Sequence, residues 1–194
     1  MNLIERAKNI IIKPKEEWIV IEQETTSVQQ LVTTYLIPLA LIPAIAAFVR
    51  YGFFGIGVLG LGGASISWGV KQAVVAFISP VLGAFLSAFV IDLLAPSFGS
   101  VKDFRRSMQL VVYSYTPMLI AGIFQIIPAL SILGIVGLYG LYLLYLGIAP
   151  IKKSPEDKVT GYFIVSLIVL IGISLIMGAV FAALIMGGSL IGRF

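Results

Sequence analysis

One carboxylate, Asp92, stands inside the long apolar stretches of this sequence, and little else there could do chemistry. Counting back by fours along a helix gives Ala88 and Ala84, with Ser87, Gly83 and Ser79 running alongside. Small residues at this spacing let helices approach closely, so Asp92 is expected to point into a bundle rather than at lipid. A carboxylate so placed can be a proton or cation site, or a polar anchor for a ligand. It can equally cap or ion-pair the adjacent loop through Lys102, Arg105 or Arg106. Tyrosines form the second group: Tyr113, Tyr115, Tyr139, Tyr142, Tyr145 and Tyr162. Tyr139, Tyr142 and Tyr145 are spaced by three and make one helical stripe. A buried phenol needs a hydrogen-bond partner, and Asp92 is a candidate acceptor; an aromatic belt at the lipid–water interface is the other reading. Pro38, Pro43, Pro80 and Pro117 interrupt apolar stretches. Each frees a backbone carbonyl, so kinks or cavities are expected.

Other reactive groups are missing. The chain contains no Cys and no His. That removes thiolate chemistry, the commonest general base and the commonest transition-metal ligand. A serine nucleophile lacks its histidine base, a zinc protease lacks its ligands, and an aspartyl dyad lacks its second carboxylate. No glycine-rich phosphate cradle ending in Lys-Ser/Thr is present; the glycines before position 64 lead into Ala64-Ser65. The expectation is a protein that is not an enzyme, with no metal and no cofactor.

The elements that position these residues follow from composition. Of 194 residues, 59% are hydrophobic and only 11% charged, with a formal charge of +4. Mean hydropathy is +1.07. A water-soluble globule typically has about 25% charged residues, so the bilayer must be part of the solvent. Residues 1–24 carry nine charged side chains, Glu5 through Glu24, and no apolar core, so no cleavable signal peptide is expected.

A spanning helix needs about 20 apolar residues. Uncharged runs cover Thr25–Val49, Tyr51–Val70, Gln72–Ile91, Ser107–Ile151 and Val159–Gly192. The fourth run has 45 residues and must fold back once, with Pro128-Ala129-Leu130-Ser131 as the turn. The glycine-rich run Tyr51–Val70 is the doubtful one, and charge arbitrates. With five spans and a cytoplasmic N-terminus, ten cations lie inside and three (Arg50, Lys71, Arg193) outside. A sixth span would make the split six against seven. The positive-inside rule therefore favours five spans, at about 28–49, 72–94, 104–127, 130–150 and 159–187, with the C-terminus outside. The run 51–70 becomes an extracytoplasmic loop anchored by Trp68. Lys102, Arg105, Arg106, Lys152, Lys153 and Lys158 form a basic cytoplasmic face.

Helix starts agree. Ser27-Val28-Gln29-Gln30, Ser100-Val101-Lys102-Asp103 and Ser154-Pro155-Glu156-Asp157 each read as a cap and first turn. Residues 1–26 form a separate segment before the membrane domain, 27–194. In that segment Leu3, Ile4, Ala7, Ile10 and Ile11 lie at helical spacing, with Glu5, Arg6, Lys8 and Asn9 on the other side. The helix suits the inner leaflet, or packs on the protein's own cytoplasmic loops. Pro14 stops it and opens a second short helix carrying Trp18, read as an interfacial side chain. The fold class is all-α: a polytopic membrane protein of five helices preceded by short amphipathic ones.

Several strings, in order, resemble the Yip1 domain family, polytopic proteins with five membrane helices and a cytoplasmic N-terminus. Asp92-Leu93-Leu94-Ala95-Pro96 is similar to its Asp-Leu-Tyr-Gly-Pro signature, and Tyr113-Ser114-Tyr115-Thr116-Pro117 to its second motif. Leu3-Ile4-Glu5-Arg6, Pro14 and Glu17-Trp18 resemble the start of prokaryotic members. So do Tyr142-Leu143-Leu144-Tyr145-Leu146-Gly147 and Lys153-Ser154-Pro155-Glu156-Asp157-Lys158. Leu94 and Ala95 depart from the eukaryotic signature. The N-terminal region is also only about thirty residues long, so the small-GTPase binding that the resemblance implies for eukaryotic members is not expected here.

Two function classes follow. The leading expectation is a non-enzymatic protein of a prokaryotic cytoplasmic membrane that organises membrane, lipid or a protein partner through its cytoplasmic face. The rival is a small oligomeric transporter or channel with Asp92 as its titrating or cation-binding site. The absence of an internal repeat weakens an inverted-repeat transporter. The bilayer is the expected partner, with room for a protein partner or a second copy of the chain; nucleic acid is not expected.

Overall fold

The computed structural model describes residues 2–55 and 63–191, with side chains through 181 and at 183. Gly57, Gly60 and Gly62 of the glycine-rich run, and Arg193, lie outside the described residues. Two short helices come first, α1 (Leu3–Ile12) and α2 (Pro14–Gln23). Five helices long and apolar enough to cross a membrane follow: α3 (Val28–Phe54), α4 (Ile66–Phe98), α5 (Phe104–Ile126), α6 (Pro128–Lys152) and α7, which starts at Glu156 and continues to Ile191. Among the described residues there is no strand. The chain is an all-α, multi-pass membrane protein.

Packing is uneven. The apolar window of α5 is 67% buried, whereas that of α7 is 6% buried. α5 contacts α3, α4 and α6, and α7 leans on α4 and α6. The buried core runs from Ala7, Ile10 and Trp18 in the N-terminal helices through Leu36 and Ala88 to Met108, Tyr113 and Leu143.

The N-terminal helices differ from a leaflet-lying pair. Asn2 caps α1 through the Ile4 amide at 3.0 Å, and Pro14 takes the first position of α2. The face bearing Ala7 and Ile10 turns into the protein, while Ile4 remains exposed. Trp18 is buried, not interfacial: its ring lies against Gly147 of α6, where an added Cβ would sit 2.7 Å from it. Gly147 is small enough to let α2 sink into the bundle.

Prolines set the irregularities. In α3 the hydrogen-bond frame slips to a π-helical turn at Val32–Leu36, closed by the Ile37 amide on the Val32 carbonyl, just ahead of Pro38. In α5, Pro117 cannot donate to the Tyr113 carbonyl four residues back. The Thr116 hydroxyl takes that carbonyl instead, at 2.7 Å. Between α5 and α6 the chain reverses at Ile127, which is extended as residues before proline tend to be. α6 then opens with a 3-10 stretch, Pro128–Leu138, before becoming α-helical.

Two boundaries move relative to the sequence reading. α3 runs on to Phe54, past 49. α4 begins at Ile66, not near 72, with Ser65 accepting from the Trp68 amide at 3.4 Å. Lys71 and Trp68 therefore belong to a helix, and so does Gly69. An added Cβ on Gly69 would lie 2.8 Å from the Gly52 backbone. These two glycines form a close crossing of α3 and α4, so the loop is much shorter than 51–70. The caps also differ. Ser27 accepts from the Gln30 amide at 3.1 Å, but α5 is capped by Asp103 through the Arg106 amide rather than by Ser100. Ser100 and Ser154 instead bond to each other at 2.6 Å, and Val101 donates to the Lys152 carbonyl at 2.9 Å. The α4–α5 and α6–α7 connections are joined by these contacts.

Candidate functional site

Asp92 sits at the end of α4, 8% exposed, where three helices converge. Its Oδ1 accepts from the Lys152 ammonium at 3.0 Å and from the Ser107 hydroxyl at 3.1 Å. Lys152 Nζ also donates to Ser107 Oγ at 2.7 Å and to the Asp103 carbonyl at 3.2 Å. An ammonium has three donors, and all three are engaged. Lys152 and Ser107 are both fully buried. The cluster ties α4, α5 and α6 together with its charges matched.

This corrects two expectations. The partner of Asp92 is Lys152, not Lys102, Arg105 or Arg106. Lys152, assigned to the basic face, is in the interior. The reason is geometric: the last turn of α6 runs past the start of α5, carrying Lys152 inward while Lys153, in a left-handed conformation (φ 50°), turns out. Lys102, Lys153 and Lys158 are exposed, as the basic-face reading requires. Arg105 donates to the Glu24 carbonyl at 3.1 Å, and Arg106 to the Ile151 carbonyl at 3.4 Å. Glu22 meets Lys153 at 3.0 Å and Arg106 at 3.8 Å. The Lys153 hydrogen bond and charge, helped by Arg106, hold the Glu22 carboxyl below its ordinary value.

The tyrosines disperse. Tyr115 bonds Ser87 of α4 at 2.9 Å. Tyr139 donates to the Ile11 carbonyl of α1 at 3.0 Å. Tyr142 and Tyr145 are exposed, and Tyr145 reaches Thr160 at 3.4 Å. None of these hydroxyls bonds Asp92, so the tyrosine stripe is not its donor set. Tyr162 donates to the Ile91 carbonyl and stacks on Phe98, centroids 5.0 Å apart. Pro96 opens the 3-10 turn that ends α4, and Gly99 reverses the chain at φ 66°.

A second cluster was not visible in the sequence. Arg6, almost fully buried, donates to both Glu17 and Glu24. Its guanidinium also lies 5.5 Å from the centroid of the Tyr113 ring. Tyr35 and Trp18 meet the same ring edge-on at 4.9 and 6.3 Å. Tyr35 Oη is 2.8 Å from Thr116 Oγ1. Because the Thr116 proton goes to the Tyr113 carbonyl, Tyr35 is the donor in that pair. The fused motif Tyr113–Pro117 therefore anchors the N-terminal helices and mends the proline break together.

Three cavities accompany these clusters. One of about 770 Å³ lies between α3, α4, α5 and α7, with mostly apolar walls, and includes Pro80, Tyr115 and Ser174. A second, about 440 Å³, shares Tyr115, Met118 and Ser174 with it. The third, about 470 Å³, is polar and lies between α2, α3 and α5. Asp92 lines none of them.

No curated protein and no solved structure matches this chain. The Yip1 domain matches residues 8–190, which takes in the Asp92–Pro96 and Tyr113–Pro117 strings, the second half of α1, all of α2 to α6 and α7 up to residue 190. The chain belongs to the Yip1 domain family.

Proposed function

We propose that this is a non-enzymatic protein that organises membrane through the end of the bundle carrying α1 and α2, and that this end faces the cytoplasm of a cell membrane. The observation that carries the reading is how the N-terminal pair is seated. Arg6, Glu17 and Glu24 lock it from beneath, and Glu22 ties it to Arg106 and Lys153. Ile4, Ile12, Ile19 and Val20 are left exposed beside Lys8, Lys13 and Lys15. Apolar side chains interleaved with lysines suit an inner leaflet containing anionic lipid. The ten cations at or near this end, against Arg50 and Lys71 near the other described end, support the orientation. The absence of His and Cys supports the non-enzymatic reading.

The test is reconstitution in vesicles with and without anionic phospholipid, reading enrichment of labelled anionic lipid around the protein. Wild type is expected to enrich it, and the triple variant Lys8→Gln, Lys13→Gln, Lys15→Gln to lose most of that enrichment. Equal enrichment in both would sink the reading. A pH-dependent ion flux abolished by Asp92→Asn would point to the transport class instead.

A further inference from the structure

The polar cavity of about 470 Å³ is walled by Gln30, Thr34 and Tyr35 of α3, by Tyr113 of α5 and by the Gln23–Thr26 turn. Leu31 completes it, and no Lys or Arg lines it. Two of the residues that line it carry a polar atom buried with no partner among the described residues: Tyr113 Oη and Glu24 Oε2. Tyr113 is itself fully buried. Buried polar groups are nearly always satisfied, so two orphans on one cavity point to something that satisfies them.

The missing partner has a definite chemistry. A carboxylate oxygen only accepts, and a phenol can accept as well; the ligand must therefore donate. Charge agrees, because one guanidinium, Arg6, is shared by two carboxylates, Glu17 and Glu24. Arg105, the other nearby cation, donates to the Glu24 backbone carbonyl at 3.1 Å, not to its carboxylate, and has Asp103 at 3.7 Å. The threonine hydroxyls and glutamine amides around the rim supply further acceptors. A water molecule takes about 30 Å³, so the cavity is far too large for a bare ion and suits a group of several heavy atoms. We propose that this cavity binds a primary ammonium group, its N–H donors directed at Glu24 and Tyr113. The cavity lies where α3 begins its span at Val28, a depth that an aminophospholipid headgroup and a free small amine can both reach. None of Ile4, Ile12, Ile19, Val20, Lys8, Lys13 or Lys15 lines it, so this inference and the surface reading above can fail separately.

The experiment uses the full chain in detergent. Phosphatidylethanolamine and phosphatidylcholine binding are counted by native mass spectrometry, and free ethanolamine is titrated by calorimetry. Phosphatidylcholine has the same phosphate and tails but no N–H on its cation. Preferential retention of phosphatidylethanolamine supports the proposal with lipid as the source; binding of ethanolamine alone supports it with a soluble amine as the source. Glu24→Gln is expected to weaken binding by at least about tenfold, as loss of a charged hydrogen-bond partner does. Since Glu24 also holds Arg6, Tyr113→Phe is the second variant. It removes an atom with no partner in the protein and is expected to weaken binding about fivefold with the fold intact. Equal retention of the two lipids without ethanolamine binding would overturn the proposal, and so would unchanged affinity in Tyr113→Phe.

Discussion

Asp92 and Lys152 are separated by 60 residues of chain and by 3.0 Å of space, with Ser107 bonded to both. A buried ion pair contributes little against a well-packed apolar substitute, but leaving one partner alone is costly. Lys152→Met should therefore destabilise the protein by about 3–5 kcal/mol. The double variant Asp92→Leu, Lys152→Met should recover most of that loss. Thermal unfolding in detergent checks both, and a double variant no more stable than the single would show that the pair is not the energetic unit.

Thr116 serves two partners. It donates to the carbonyl that Pro117 leaves open and accepts from Tyr35. Thr116→Val keeps the shape and removes both bonds, so a loss of about 2 kcal/mol is expected. Thr116→Ser should retain most of the stability, and Tyr35→Phe should cost less than Thr116→Val. Denaturation of the three variants side by side gives the ranking.

Gly147 is where α2 enters the bundle. A Cβ there would lie 2.5 Å from Leu110 Cδ1 and 2.7 Å from the Trp18 ring. Gly147→Ala should displace Trp18 and cost about 1–3 kcal/mol, the usual range for overpacking. In a Trp68→Phe background, Trp18 emission should shift to the red; an unshifted spectrum would mean the ring has room to stay.

Acid should loosen the N-terminal helices through Glu22. Lys153 first, then Arg106, lower the folded carboxyl below its ordinary 4.5. A lowered carboxylate adds stability that is complete above the unfolded value and is lost as pH falls from there through the folded value. Thermal stability should decline below about pH 5, and Lys153→Met should flatten this part of the decline. An unchanged acid limb in that variant would remove Glu22 from the account.

Hydropathy and charge made the five spans legible because both are properties of whole stretches. The Asp92–Pro96 and Tyr113–Pro117 strings were legible as motifs, and Asp92 as an inward-facing acid through its small neighbours Ala84 and Ala88. Its partner was hidden, because a ruler of uncharged runs ends at Ile151 and leaves Lys152 in the loop. Only the crossing of α5 and α6 carries it inside. Arg6 was hidden for a related reason. Its charge groups it with Glu5 and Lys8, although on a helix it lies one turn before the buried Ile10, and Glu17, Glu24 and the Tyr113 ring make that interior position tolerable. Gly69 read as part of a loop because glycine disfavours helices, yet at the α3–α4 crossing the lack of a side chain outweighs that preference.

The Asp92–Lys152 pair also orders events during synthesis. When α4 leaves the ribosome its acid has no counter-charge, since the lysine that neutralises it is not translated until α6 is complete. The contact that joins α4, α5 and α6 through Asp92 can form only once the fifty-nine intervening residues and Lys152 itself have followed. The ion pair can therefore form only after α6 has been made. A nascent chain halted before Lys152 would present an unpaired acid in its second span.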